Sequence, residues 1–596
     1  MSFCVLPALV PALAFLPSVA LAADAPLSIR ALAPEKSFLV VGVDDLAATR
    51  TRLEASPVGQ WWKSPGVQEA TAEWRKNLEA EIEKETQELG VPRETVCWPA
   101  SAGLAMASQL DEETGLEMPV LVMFLDWGAD AEKFATFFDA SMARQEKEKP
   151  AGMTVEEIKG RRTWVFATVD AEPAAADPDD MDFGEPASPF EFPKMHLSRD
   201  GGRLFITSSA AALEDAFAVV DGAGAKGVGE TADFKDSIEL AGGDPDLYAT
   251  LLTKSLQPLI AAQGGFEFAL IQPFLGTLFG DIRGWSLGID FTEEAAGTVL
   301  SQHIGILVPD GKVGLLSLLG EGGLDKVPAI VPADAIGYGR MNVKFSELMK
   351  VLNDVVANLP EMQAEQIQPM LEQFEPMLSP SFAAMGPGMD SWTVVKQPIG
   401  PESMQTTTAI PVTDAKAAQG LMMFFGPQAG LAPRDFLGNT VYSGEDSPMA
   451  VGYGQTHMFL GSTDNVEAAL RAVGQADAPA GLDGEAKYRD AMARLAKDGL
   501  VGYGWVDVVR TMEVQETMID ELMQGGMMGG MPGLEGLDPE EIAGMASDIE
   551  IAKDFPALSK LLKAEYFKEF FGPAVWQMRS VPKGFRLDSL TLPAAK

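Results

Sequence analysis

The feature that most constrains this chain is that it repeats itself. The stretch "RLFITSSAAALEDAFAVVDGA" (203–223) is matched by "HMFLGSTDNVEAALRAVGQA" (457–476), with Phe205 against Phe459 and Ser208 against Ser462. Both read as a short strand, a polar turn and a small amphipathic helix. In the second copy, Asp464 and Glu467 have the spacing of a capping box. The likeness continues on either side. "ALAPEKSFLVVGVDDLAATRTRL" around Phe38 parallels "VPADAIGYGRMNVKFSELMKVL" around Tyr338. Asp130-Ala131 parallels Asp414-Ala415, each after an apolar strand and before a helix. Gly160 precedes Trp164-Val165 as Gly438 precedes Val441-Tyr442. A repeat unit of this length divides the chain into residues 35–325 and 326–596.

A finer repeat is expected inside each half. Tyr248 and Tyr503 head strand-to-helix entries like those at Phe38 and Tyr338, and each entry runs into helical text. A tryptophan-led strand then follows, at Trp98, Trp285, Trp392 and Trp576. The first helical excursion opens on Ser64-Pro65, an N-cap with proline at N1. It carries apolar residues along one face from Val67 to Leu89, and Gly90 closes it. Strands such as "PVLVMFLDW" and "TVLSQHIGILV" alternate and are joined by turns, which predicts antiparallel pairing. The expected fold class is therefore α+β, with repeated antiparallel sheets and amphipathic helices packed on them.

The N-terminus reads "MSFCVLPALVPALAFLPSVALAADAPLS". An apolar run ending in Ala20-Leu21-Ala22 predicts a signal peptide over residues 1–22, cleaved after Ala22. The alternative is an uncleaved anchor, which Pro7, Pro11 and Pro17 disfavour. No basic residue precedes the run. No later stretch is apolar for long enough to span a bilayer, so a periplasmic or secreted protein without an integral membrane segment is expected. Cys97 is the single cysteine beyond that segment, so no intramolecular disulfide is possible. A formal net charge of −41 repels phosphates and argues against nucleic-acid binding.

The strand entries and Asp-Ala helix starts, above all "VPADAIGYGRMNVKFSELMKVL", resemble those of a large group of exported bacterial proteins classed as a domain-of-unknown-function family. The resemblance covers most of the chain after the signal. It implies an envelope location and a repeated α+β fold, and it carries no catalytic residue across.

Motifs for chemistry are sparse. "GWSLG" (284–288) fits the G-x-S-x-G nucleophile elbow around Ser286, but that motif needs a strand, a tight turn and a helix. Here the text alternates like a strand, so Ser286 is expected on one, without a triad. His196, His303 and His457 are isolated and lack zinc-ligand spacing. "GAGAKG" (222–227) matches G-x-G-x-x-G but follows a helix instead of a strand, so it reads as a linker. Asp177, Asp179, Asp180 and Asp182 lie in a proline-rich acidic insert with Met181 where a calcium loop wants oxygen. No cofactor is expected.

One feature is left over. Three excursions contain Gly/Met-rich apolar text: 266–280, 377–389 with Met377, Met385 and Met389, and 518–531 with Met523, Met527, Met528 and Met531. Methionine adapts to irregular apolar partners. These residues are the candidate surface for a hydrophobic ligand or an envelope partner protein. The sequence thus favours a non-catalytic exported binder, with an exported hydrolase using Ser286 or unrecognised carboxylates as the alternative.

Overall fold

A computed structural model describes residues 27–110, 115–167, 192–223, 226–294, 297–359, 361–400, 403–444, 447–473, 481–524, 561 and 563–594, with backbone alone at 262–274, 362–363 and 519–524. The expected signal peptide, the acidic insert and Met527, Met528 and Met531 lie outside the described residues.

The first half contributes β1 (Ser37–Val43), β2 (Ser101–Leu110), β3 (Glu117–Asp126), β4 (Met153–Ile158), β5 (Arg161–Ala167), β6 (Lys194–Asp200), β7 (Arg203–Thr207), β8 (Leu247–Leu252), β9 (Gly284–Glu294) and β10 (Gly297–Leu307). The second contributes β11 (Gly337–Met341), β12 (Met389–Val395), β13 (Met404–Pro411), β14 (Ala432–Phe436), β15 (Asn439–Ser443), β16 (Ala450–Tyr453), β17 (His457–Gly461), β18 (Leu500–Val506), β19 (Phe571–Val581) and β20 (Gly584–Pro593).

All belong to one sheet, with antiparallel neighbours throughout. Its order is β4-β5-β6-β7-β3-β2-β1-β8-β9-β10-β20-β19-β18-β11-β12-β13-β17-β16-β15-β14. The β10–β20 pair is the midpoint, and the strands on its two sides follow in the same succession. The outermost hairpins share their turn chemistry as well. Lys159-Gly160 (φ 50° and 75°) and Leu437-Gly438 (φ 53° and 79°) both place two positive-φ residues between the strands. That is the turn geometry whose twist matches a two-residue hairpin.

Directly paired residues lie on the same face of a sheet, and successive residues alternate between faces. One row runs Phe205–Phe124–Gly103–Gly42–Tyr248–Gly288–His303 in the first half. It continues through Asp588–Gln577–Tyr503–Arg340–Asp390–Ala409–Phe459 in the second. This face is closed by helices. Ala210–Val220 and Ala232–Leu240 pack with Phe124, Phe205 and Tyr248, and Thr463–Val473 and Ala486–Met492 pack with Tyr338, Phe459 and Tyr503. Glycines let them come close: a Cβ on Gly288 would meet Ala241 O at 1.8 Å, and one on Gly305 would meet Leu240 Cβ at 2.4 Å.

The helical excursions flank the opposite face. Trp61 and Trp62 of the first pack over Phe291 and Leu300 together with Phe567 from the fourth, the Trp61 and Phe567 rings stacking at 5.1 Å. The second and third meet through Leu278, Val351 and Val355. The first excursion closes as expected at Gly90, which is left-handed (φ 69°).

Two expectations are corrected. The tryptophans do not hold matching places: Trp98 stands before β2, Trp392 lies inside β12, and the register puts Ala105 where Trp392 would belong. The capping box does not form. The helix starts at Thr463, so Asp464 sits in its first turn and pairs with Lys396, while Glu467 holds Arg434 and Arg471.

Candidate functional site: the open face of the sheet

The residues that alternate with the closed row form a second row on the opposite face. It runs Met123–Leu104–Val41–Ala249–Leu287–Ile304–Leu587–Met578, one residue from each neighbouring strand. Every member is apolar. It extends to Ile206 and Leu197 on one side and through Gly502 to Met341 and Met389 on the other. At about 4.8 Å per strand, the eight named positions span roughly 34 Å.

The two faces differ in burial. Along β3, Val120, Val122 and Phe124 are buried beneath helices while Leu121, Met123 and Leu125 are half-buried. Val41, at the centre of a central strand, is 39% exposed, and Trp285 is 42% exposed. Trp285 belongs to a parallel row, Leu121–Met106–Leu39–Leu251–Trp285–Ile306–Phe585, alongside the first. Val41 and Trp285 are the exposed members of the two rows; the others are half-buried except Phe585, which is buried, and the helix Thr253–Phe279 lies against β1, β2 and β3. An apolar face that keeps exposed members on central strands is a candidate binding surface.

The strands beneath these rows each have a paired neighbour on both sides, so the surface offers chiefly contact area. A peptide laid there in extended form would bury its own polar groups without partners, at a cost of about 1–3 kcal/mol each. A hydrocarbon incurs no such cost.

The methionines singled out in the sequence are spread over different settings. Met385 is buried with Ile410, Val412 and Met458, and so belongs to the core. Met389 packs at the edge of that cluster and ends the open row. Met377 is half-buried on the helix Glu361–Ala383, and Met523 lies on the helix Val508–Gln524. No local sequence pattern marks the open rows, because they join strands distant along the chain.

Ser286 lies within β9, paired with Thr250 and Gly305 on the closed face, and is 4% exposed. Its Oγ has no hydrogen-bond partner among the described residues. Strand continues on both sides, so no elbow turn exists. Gly222, in the G-x-G-x-x-G match, follows the helix Ala210–Val220.

His303 is the one histidine in a charged setting. Its Nε2 is 3.3 Å from Asp290 and its Nδ1 is 2.7 Å from Asp588, with Arg586 at 3.0 Å. Burial works against the imidazolium, but hydrogen bonds to Asp290 and Asp588 outweigh it and raise the pKa. Burial likewise opposes ionisation of Asp588, yet contacts from His303 and Arg586 hold its carboxyl far below the usual range. Burial lowers the pKa of His196 and His457. Cys97 is half-buried, and its thiol is pushed up to about 11, first by burial and then by Asp130.

A cleft of about 730 Å³ on the closed side is lined by Arg30, Asp44, Lys235 and Phe234, among others. Its charges are spent on one another: Arg30 pairs with Asp44 at 2.8 Å and Lys235 with Glu230 at 2.9 Å. Among the described residues no group of His, Cys, Asp and Glu is gathered to hold a metal, and no helix is long and apolar enough to cross a membrane. Comparison with protein families, curated proteins and solved structures returns no match.

Proposed function

We propose that this chain is an exported, non-catalytic cell-envelope protein that binds a hydrophobic ligand along the open face of its sheet. The observation that carries the reading is the unbroken apolar row from Met123 to Met578, half-buried while the opposite face is sealed by helices. We propose further that the two halves are copies of one unit, each itself a tandem of two. The matched strand succession about β10–β20 supports the twofold division, and the strand–excursion–strand pattern at β1, β8, β11 and β18 supports the finer one. Copying would join two short apolar faces into one long one.

The test is equilibrium binding of a fluorescent apolar probe to the mature protein. Wild type binds, and a Leu104→Asp, Leu287→Asp double variant with an unchanged melting profile binds at least about tenfold more weakly, since each charge would have to be desolvated. Equal binding by both would sink the proposal. Export is checked by N-terminal sequencing, with Ala23 as the expected first residue.

A further inference from the structure

Lys312 is a half-buried cation in a chain with 86 acids and 45 lysines and arginines, yet among the described residues no carboxylate stands within ion-pair distance of it. Its ammonium donates to Ser580 Oγ and to the Val581 carbonyl at 3.1 Å, both neutral acceptors. It lies 4.8 Å above the Phe585 ring. An ammonium has three N–H donors, so one remains. Two further cations at this end of the sheet are already taken up, Arg283 by Asp281 and Asp310 and Lys583 by Asp236 and Glu239.

The position matters because Ser580 and Phe585 are paired across β19–β20, and Phe585 pairs with Ile306, so all three continue the apolar row that holds Trp285. Lys312 therefore stands over the buried Phe585, at the end of the row that leads through half-buried Ile306 to exposed Trp285. Burial lowers its pKa, with Glu321 acting weakly the other way. A desolvated ammonium gains most from an anion brought into the same dry surroundings.

Building on the open-face reading, we propose that the ligand is an anionic amphiphile, its acid head group paired with Lys312 and its hydrocarbon chain laid across the apolar rows. A neutral lipid would leave the ammonium uncompensated, and an inorganic anion would leave the rows uncovered.

The experiment compares palmitate with hexadecanol, which share a chain and differ in the head, on wild type, Lys312→Met and Lys312→Arg. Wild type should prefer palmitate by on the order of tenfold, as one charge-assisted contact provides. Lys312→Met should lose that preference and still bind hexadecanol, while Lys312→Arg should keep the preference, which shows that the fold survives change at this position. Equal binding of both probes by wild type, or a preference that persists in Lys312→Met, overturns the head-group assignment and leaves the open-face reading intact. Failure of wild type to bind either probe overturns both. Protection of Lys312 from acetylation by inorganic phosphate, matched by palmitate with no gain from its chain, would reduce the site to a free-anion site and overturn the amphiphile.

Discussion

His303 and Asp588 face each other directly across β10 and β20, with Nδ1 2.7 Å from Oδ1, at the midpoint of the sheet. Each comes from a different half, and each is the last residue of its half on the closed row. Asp290 from the first half and Arg586, Arg579 and Gln577 from the second complete the cluster. The midpoint is thus closed by charge, as is the Arg340–Asp390 pair farther along the same row, between stretches closed by aromatic packing.

This cluster makes stability depend on pH with a definite sign. The raised His303 pKa means that its contribution is full below the unfolded imidazole value of about 6.5 and is lost as pH rises through the folded value. The depressed Asp588 pKa contributes above about 3.9 and is lost as the medium turns more acidic. Thermal melts of wild type should fall between pH 6 and pH 9 more steeply than those of His303→Gln. Parallel slopes would remove His303 from the cluster.

Ser286→Ala should leave function untouched and change stability by less than about 1 kcal/mol. The hydroxyl is buried without a partner, so deleting it removes a polar group that gains nothing from burial. A serine-directed fluorophosphonate should not label the wild-type protein. Labelling that disappears in the variant would revive a hydrolase.

Phe205→Ala and Phe459→Ala should each cost about 3–5 kcal/mol, because both rings are fully buried at matching places on the closed row. Calorimetry of the two variants checks this. A cost near zero for one of them would mean that the two cores are not built alike.

What the sequence shows is that a phenylalanine, a polar turn and a short helix recur as a block at Phe205 and Phe459, as do Gly160 and Gly438. In the structure each phenylalanine lies on a strand followed by a helix, and each glycine in a hairpin turn. The tryptophans misled. Trp392 fills the closed core, whereas Trp576 covers Gly339, Gly502 and Gly504 on the other face, where a Cβ on Gly504 would come within 2.4 Å of it. An indole settles wherever neighbouring glycines leave room, so its place in a strand is a poor marker of register. The open rows were not legible at all. Alternation within β3 shows that Leu121 and Met123 share a face, but joining Met123 to Leu587 needs the register of every intervening strand.

The methionines should separate by burial. Met385→Ser should cost about 2–4 kcal/mol, since the side chain is enclosed by Ile410, Val412 and Met458. Met423→Ser, at 66% exposure, should stay within about 0.5 kcal/mol. Denaturant midpoints distinguish the two, and equal costs would contradict the packing around Met385.

Trp285 offers the most direct view of the open face. It lies on a central strand between Leu251 and Ile306, yet 42% of its surface meets solvent. An apolar ligand laid along the rows must cover it. The chain has ten tryptophans, so the signal has to be isolated by subtracting the emission of Trp285→Phe. That variant keeps an aromatic ring on the face and should still bind. The difference spectrum should move to shorter wavelength when ligand is added to wild type, because the indole passes from a wet surface to a dry one. A red shift, or no shift at saturating ligand, would place binding elsewhere on the molecule and leave the apolar rows without an occupant.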